Sequence, residues 1–147
     1  MDESKPKKKL KTNAMQRSLN KLRREGWTVC VVERKIPRPG RPFPTSRDAF
    51  GFGDILACRL EPKLIALVQT STAARWNDHK RKILGPIHDG EFATDEERQA
   101  AERIIADAIT WANAGGVILL HGWSYRLPHG LKFEEKRWVC REERLYP

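Results

Sequence analysis

The spacing of apolar positions changes several times along this chain, and each change marks an element. Between Asn13 and Glu25 the apolar residues Met15, Leu19 and Leu22 follow the i, i+4, i+7 stripe of a helix, while Gln16, Arg17, Lys21, Arg23 and Arg24 take the other faces. Gly26 suits the left-handed position that ends such a helix, and Trp27 is expected to fold back on the stripe. Thr28 to Arg34 reads as a strand; Val29 to Val32 are apolar on both faces, which predicts cover on both sides, and Glu33 is an acid at its end. Lys35 to Arg47 carries Pro37, Pro39, Pro42 and Pro44, which oppose regular pairing, and reads as a loop.

The stretch from Asp48 to Ser71 organises the rest. It reads as two apolar strands joined by a tight turn centred on Glu61 and Pro62, the first beginning near Asp54 and the second ending near Gln69. In an antiparallel hairpin the start of one strand lies beside the end of the next, so Asp54 falls opposite Gln69 or Thr70. A carboxylate and a carboxamide then meet at one edge of a buried sheet, where each needs a partner. The glycines of Phe50-Gly51-Phe52-Gly53 permit a kink or a close backbone approach, and no Gly-Lys-Ser/Thr follows to make a phosphate loop. Leu64 to Val68, apolar on both faces, predicts a central strand.

Ala73 to Leu84 reads as a helix capped by Ser71 or Thr72, with Trp76, Lys80 and Ile83 along one face and Arg75, His79, Lys80 and Lys82 as a basic surface. Thr94 to Glu97 is a capping box that starts a helix running to about Ala112, stopped by Gly115-Gly116. Val117 to His121 is an apolar strand, Gly122 to Gly130 a turn, and Lys136 to Arg141 a final edge strand with Trp138 and Cys140 inward. Helix, strand, hairpin, helix, helix, strand, strand is an α/β fold, a mixed sheet with helices on its faces.

Composition adds a partner class. The 147 residues suit one domain, 13–147, behind a lysine-rich and disordered leader, 1–12. A net charge of +9 favours a polyanion, and nucleic acid is the partner that basic clusters usually meet. Arg38, Arg41 and Arg47 in the proline loop, with Arg75, Lys80 and Lys82 on the following helix, are the candidate contacts. No apolar run reaches ~20 residues, so a membrane span is not expected. The leader lacks the apolar stretch of a signal peptide. Cys30, Cys58 and Cys140 are odd in number and far apart, each in an apolar run where a free thiol packs as a small hydrophobe, and they fit a reducing cytoplasm better than a zinc site or disulfides. His79, His88, His121 and His129 share no metal-ligand spacing and read as surface or loop histidines.

The stretches Trp27-Thr-Val-Cys-Val-Val-Glu-Arg, Asp48-Ala-Phe-Gly-Phe-Gly-Asp-Ile-Leu-Ala, Val68-Gln-Thr-Ser, Arg81-Lys-Ile and Trp111-Ala-Asn-Ala-Gly-Gly, in this order, resemble the PD-(D/E)XK nuclease superfamily. The likeness is to its Holliday-junction-resolvase-like branch and to short phage proteins of that fold. It implies a restriction-endonuclease-like αβββαβ core with one extra helix, and metal-dependent cleavage of DNA, including branched or phage and host DNA, in a host cytoplasm. It also implies magnesium or manganese as cofactor and a homodimer. Carried over, Asp54 takes the acid role, Gln69 stands where a Glu is usual, and Ser71 stands where the Lys would be. Glu33 is a further candidate ligand beside Asp54 and Gln69, and Lys80, Arg75 or Lys82 is the candidate to replace the missing lysine in space. The degenerate motif carries an alternative: a fold that has lost catalysis and binds nucleic acid or a protein, including as an inhibitor of a host enzyme.

Overall fold

The hairpin sets the frame. The computed structural model describes residues 13–42, 45–126 and 137–147. In it strand β4 (Ile55–Leu60) returns at Glu61-Pro62 as β5 (Lys63–Thr72), with Leu60 paired to Lys63 and Ile55 to Val68. That register puts Asp54 across from Gln69, as the turn position required. The leader 1–12, Pro44 of the proline segment, His129 and most of the turn before the last strand lie outside the described residues.

Helix α1 (Ala14–Arg24) precedes the short strand β1 (Thr28–Val31), and a two-stranded ribbon of β2 (Arg34–Ile36) and β3 (Thr45–Arg47) comes before the hairpin. A 3-10 turn (Ala73–Arg75) leads from β5 into α2 (Trp76–Leu84), then come α3 (Asp95–Asn113), β6 (Val117–Arg126) and β7 (Arg137–Leu145). The main sheet has five strands in the order β1-β4-β5-β6-β7, with β5 and β6 parallel and the other pairs antiparallel. The parallel pair requires a crossover, which α2 and α3 provide. Alternation then splits the core. Ile55, Ala57, Ala66, Val68, Val117 and Leu119 pack with Leu19 and Leu22 of α1 and with Trp27, which does fold back. Leu67, Ile118 and Leu120 face the other way, onto Trp76, Ile83 and Ala108. This is an α/β protein with helices on both faces of a mixed sheet.

Local chemistry explains the helix ends. Asn13 accepts from the Gln16 amide at 2.8 Å and caps α1. Thr94 accepts from the Glu97 amide at 3.2 Å, and Glu97 reaches back to the Ala93 amide at 3.2 Å, one residue before the cap itself. The cap expected from Ser71 or Thr72 does not form; neither the 3-10 turn nor α2 has a side-chain cap.

Several expectations are corrected. β1 is an edge strand, with Val31 47% exposed, so its apolar run on both faces is not covered on both sides. The proline segment is partly paired: Lys35 faces Ser46 and Ile36 faces Thr45, and Pro37, Pro39 and Pro42 sit outside that ladder, where no amide is needed. β6 does not stop at His121 but continues to Arg126, so His121 is mid-strand and fully buried instead of a surface residue. Trp138 is 44% exposed, and Cys30 and Cys58 are exposed rather than packed within the core.

Gly122 lies where α2 crosses β6. A Cβ there would come within 2.5 Å of Cε3 of Trp76, a side chain held in the core. Gly122→Ala is therefore expected to cost about 2 kcal/mol, since overpacking forces the indole or the strand to move. A urea melt with an unchanged slope and a lower midpoint is the signature.

Candidate metal centre at the edge of the hairpin

Asp54 stands just before β4 and is 5% exposed. Its amide donates to the Val68 carbonyl at 2.9 Å, which locks it against β5. Its Oδ2 accepts three hydrogen bonds: from Gln69 Nε2 at 2.7 Å, from the Thr70 amide at 2.8 Å and from Thr70 Oγ1 at 3.1 Å. All three go to one oxygen, which leaves Oδ1 for the neighbouring acids.

Two further carboxylates reach the same place. Glu33, Asp48 and Asp54 each offer an oxygen within 4.8 Å of the others. Glu33 is delivered by a break in β1: the Val32 and Glu33 amides both donate to the Asp54 carbonyl, at 3.0 and 3.3 Å. Two residues facing one is the pattern of a β-bulge, which bends a strand and re-aims a side chain. Asp48 is delivered by a closed turn. Ala49 and Gly53 exchange two backbone hydrogen bonds of 2.8 Å, so the residues flanking them, Asp48 and Asp54, come side by side. The turn needs its glycines. Gly51 has φ +79° and sits against Ile104, and a Cβ on Gly53 would come within 2.9 Å of Leu67.

Three acids this close repel unless a proton or a cation lies among them. Burial, then a hydrogen bond to Asp48 and the charge of Asp48, pushes the Asp54 carboxyl up to about 8, against the opposing pull of the Thr70 donors. Without a cation, then, Asp54 keeps its proton near neutral pH. The donor set is all oxygen and anionic, which fits a hard divalent cation such as magnesium or manganese, with Glu33, Asp48 and Asp54 as the residues that would hold it.

Lys82 of α2 completes the group. Its Nζ lies 2.9 Å from Gln69 Oε1 and 3.8 Å from Asp48 Oδ2. Burial lowers its pKa, which Asp48 and Asp54 partly oppose. The site is reachable, because the Asp48 and Lys82 side chains keep 20% and 29% of their exposure.

The expected site residues separate accordingly. Asp54, Gln69 and Glu33 come together, and Lys82 joins them. Gln69 is not placed as a ligand: its Nε2 faces Asp54 and its Oε1 faces Lys82, the one orientation that matches donor to acceptor at both ends. It is a bridge between acid and lysine. Ser71 shares the strand face of Gln69, but its hydroxyl is turned to the Thr72 carbonyl at 2.9 Å. Lys80 is drawn away to Glu143 of β7 at 2.8 Å. Arg75 is exposed at the start of α2, near enough to Lys82 for its charge to lower that amine. Arg38 and Arg41 are exposed in the β2–β3 connection, and Arg47 is paired across the ribbon with Arg34. Asp48 is the residue that reading the sequence missed; two aspartates flanking a glycine-bearing turn of the right length were the available signal.

A second buried polar group lies on the α1 face. His121 Nδ1 is 2.9 Å from Ser18 Oγ, and its Nε2 is 2.7 Å from Glu142 Oε2. The order serine, histidine, glutamate imitates a hydrolase triad, but Ser18 is fully buried and also accepts the Trp123 indole N–H at 2.9 Å. Ser18 and Glu142 therefore each engage one ring nitrogen of His121, and the buried imidazole has both nitrogens satisfied. The His121 bond holds the Glu142 carboxyl below its ordinary range. The group ties α1 to β6 and β7. His121→Ala is expected to cost about 3 kcal/mol, because it removes the imidazole that bridges Ser18 and Glu142 and leaves a cavity in a fully buried position. Equilibrium unfolding measures it.

Among the described residues no helix is long and apolar enough to cross a membrane. No protein-family model, curated protein or solved structure matches this chain.

Proposed function

We propose that this chain is a divalent-cation-dependent nuclease that hydrolyses phosphodiester bonds in DNA, with a core like that of the PD-(D/E)XK superfamily it resembles. The observation that carries this reading is the convergence of Glu33, Asp48 and Asp54 within 4.8 Å of one another, with Lys82 bound to the amide that holds Asp54. The three antiparallel strands β1, β4 and β5, followed by a helical crossover to parallel β6, support it by their order.

A cation at the three acids would offset charge on the transferred phosphate and make bound water more acidic. The chain's own groups do the positioning. Thr70 and Gln69 fix Asp54 in one orientation through its Oδ2. Gln69 in turn fixes Lys82. The Lys82 ammonium has three protons, of which Gln69 takes one while Asp48 lies at ion-pair distance, so a proton is available to a phosphate oxygen or to the attacking water. Arg75, Arg38, Arg41 and Arg47 give an exposed basic approach to the polyanion.

One observation favours a second reading. Gln69, in the place of the usual second acid, has both ends of its amide occupied within the protein. In that reading the fold has lost catalysis and binds nucleic acid alone. Incubation of the full chain with linear, nicked and four-way-junction DNA, in magnesium or manganese and in EDTA, separates the two. Cleavage that needs the cation and is lost in Asp48→Asn supports the nuclease. Salt-sensitive binding with no cleavage in either cation supports the second reading.

A further inference from the structure

The outer end of the β6–β7 pair carries a feature that cleavage at the acids does not use. Tyr125 and Trp138 are direct cross-strand partners, with ring centroids 5.4 Å apart and planes inclined by 48°. They stay 52% and 44% exposed. From α1 the Arg17 guanidinium lies 3.5 Å over the Trp138 ring and 5.9 Å from that of Trp123. The next rung of the ladder pairs Arg126 directly with Arg137. Like charges facing each other across strands destabilise a hairpin. Neither arginine has an ion-pair partner among the described residues.

Exposed rings backed by a cation, one rung from two arginines that have no acid partner among the described residues, match one ligand chemistry: a flat base attached to a phosphate backbone. Bases stack on aromatic rings whatever their sequence, and arginine adds its own attraction for a π-face. Paired bases inside a duplex cannot reach such rings, whereas unpaired ones can. We propose that Tyr125, Trp138 and Arg17 form a stacking platform for an unpaired nucleobase of single-stranded DNA, with Arg126 and Arg137, which leave the opposite face on the next rung, meeting phosphates where the strand rounds the end of the sheet. The proposal rests on the nucleic-acid reading above and narrows the substrate to DNA that carries a single-stranded segment.

The placement suits that role. Gln69, across from Asp54, is paired with Leu120, five residues before Tyr125 on β6. With strands ~4.8 Å apart and ~3.3 Å per residue, the platform lies roughly 20 Å from the acids, at the same end of the sheet. A strand rounding that end by a few nucleotides would touch both.

Fluorescence anisotropy in EDTA, where no cleavage can occur, tests the platform. The full chain is titrated into a labelled 20-nucleotide oligo-dT and into a labelled 20-base-pair duplex. Tyr125→Leu and Trp138→Leu are each expected to weaken single-strand binding about tenfold and to leave duplex binding within about twofold. Arg126→Gln combined with Arg137→Gln is expected to weaken both and to flatten the salt dependence. Trp138→Leu could disturb the Arg17 contact with α1, so Tyr125→Leu, at the more exposed ring, is the deciding variant if Trp138→Leu melts early. Equal losses on both DNAs, or no loss in Tyr125→Leu, overturn the proposal. So does binding to phosphatidylserine vesicles that the ring variants abolish while oligo-dT binding stays intact, which would mark a lipid-facing patch. The arms stay separable: selective single-strand binding in a protein that never cleaves removes the hydrolytic reading and keeps the platform, and cleavage with no effect of Tyr125→Leu does the reverse.

Discussion

Asp54→Asn is expected to abolish the proposed magnesium-dependent DNA cleavage and to make the cation-free protein more stable. Both effects come from one oxygen. Asparagine keeps a carbonyl that can accept from Gln69 and Thr70, so the Oδ2 side of the site survives. It also places an amide where Asp54 now faces Asp48 and Glu33, which turns a repulsive contact into a donating one. The charge that would help hold a cation is gone, and a loss of about a thousandfold or more in rate is expected, equivalent to ~4 kcal/mol of transition-state stabilisation. The same change should raise the cation-free stability by about 2 kcal/mol, since it removes a buried acid held beside two others. Such opposite movements are typical where a site is kept strained for its activity. Cleavage assays and urea melts on the same preparation check the pair. A variant that cleaves as well as the parent removes Asp54 from the chemistry. A variant that is merely less stable removes the claim that the acids repel.

The second large effect is the pH dependence of stability. An unfolded aspartate loses its proton near 3.8, while the folded Asp54 holds its own up to about 8. Between those values the folded state carries one more proton than the unfolded state, so stability is present at the low end and is lost as pH rises. Stability in EDTA should therefore fall between pH 5 and pH 8, by up to about 4 kcal/mol or roughly 12 °C in thermal melts of a chain of this size. Acid denaturation of most proteins runs the other way in this range, which makes the sign diagnostic. Two controls isolate the cause. Asp54→Asn should flatten the profile, because the titrating group is gone. Magnesium or manganese at about a hundred times its dissociation constant should restore about 2.7 kcal/mol at pH 8, where the proton competes less for Asp54 than at pH 5. A stability that rises steadily from pH 5 to pH 8 in EDTA would show that the folded Asp54 does not hold its proton beside the other acids.

The two experiments also separate the readings of the fold. A protein that has lost catalysis can still show the inverted pH profile, since that needs only the three acids. It cannot show the thousandfold drop, since there would be nothing to lose.

The class of fold and half of the site were legible in the amino-acid sequence, for a local reason. The turn at Glu61-Pro62 and the alternation on either side of it fix the hairpin register within a few residues, and register alone puts Asp54 opposite Gln69. The helices followed from apolar spacing and, for α3, from the cap at Thr94, all of which are contacts within one turn; the Asn13 cap came only with the structure. What tertiary structure decided lies at longer range. A run of valines cannot say whether a strand has a second neighbour, so β1 looked covered when it is an edge. The bulge that aims Glu33 depends on a carbonyl twenty-one residues further along the chain, and the approach of Lys82 rather than Lys80 depends on how α2 sits over β5. His121 is buried only because β6 runs past it and α1 brings Ser18 from the far end of the chain. Period and turn chemistry are written in neighbouring residues; the meeting of charged groups is set by packing, which no short window of sequence contains.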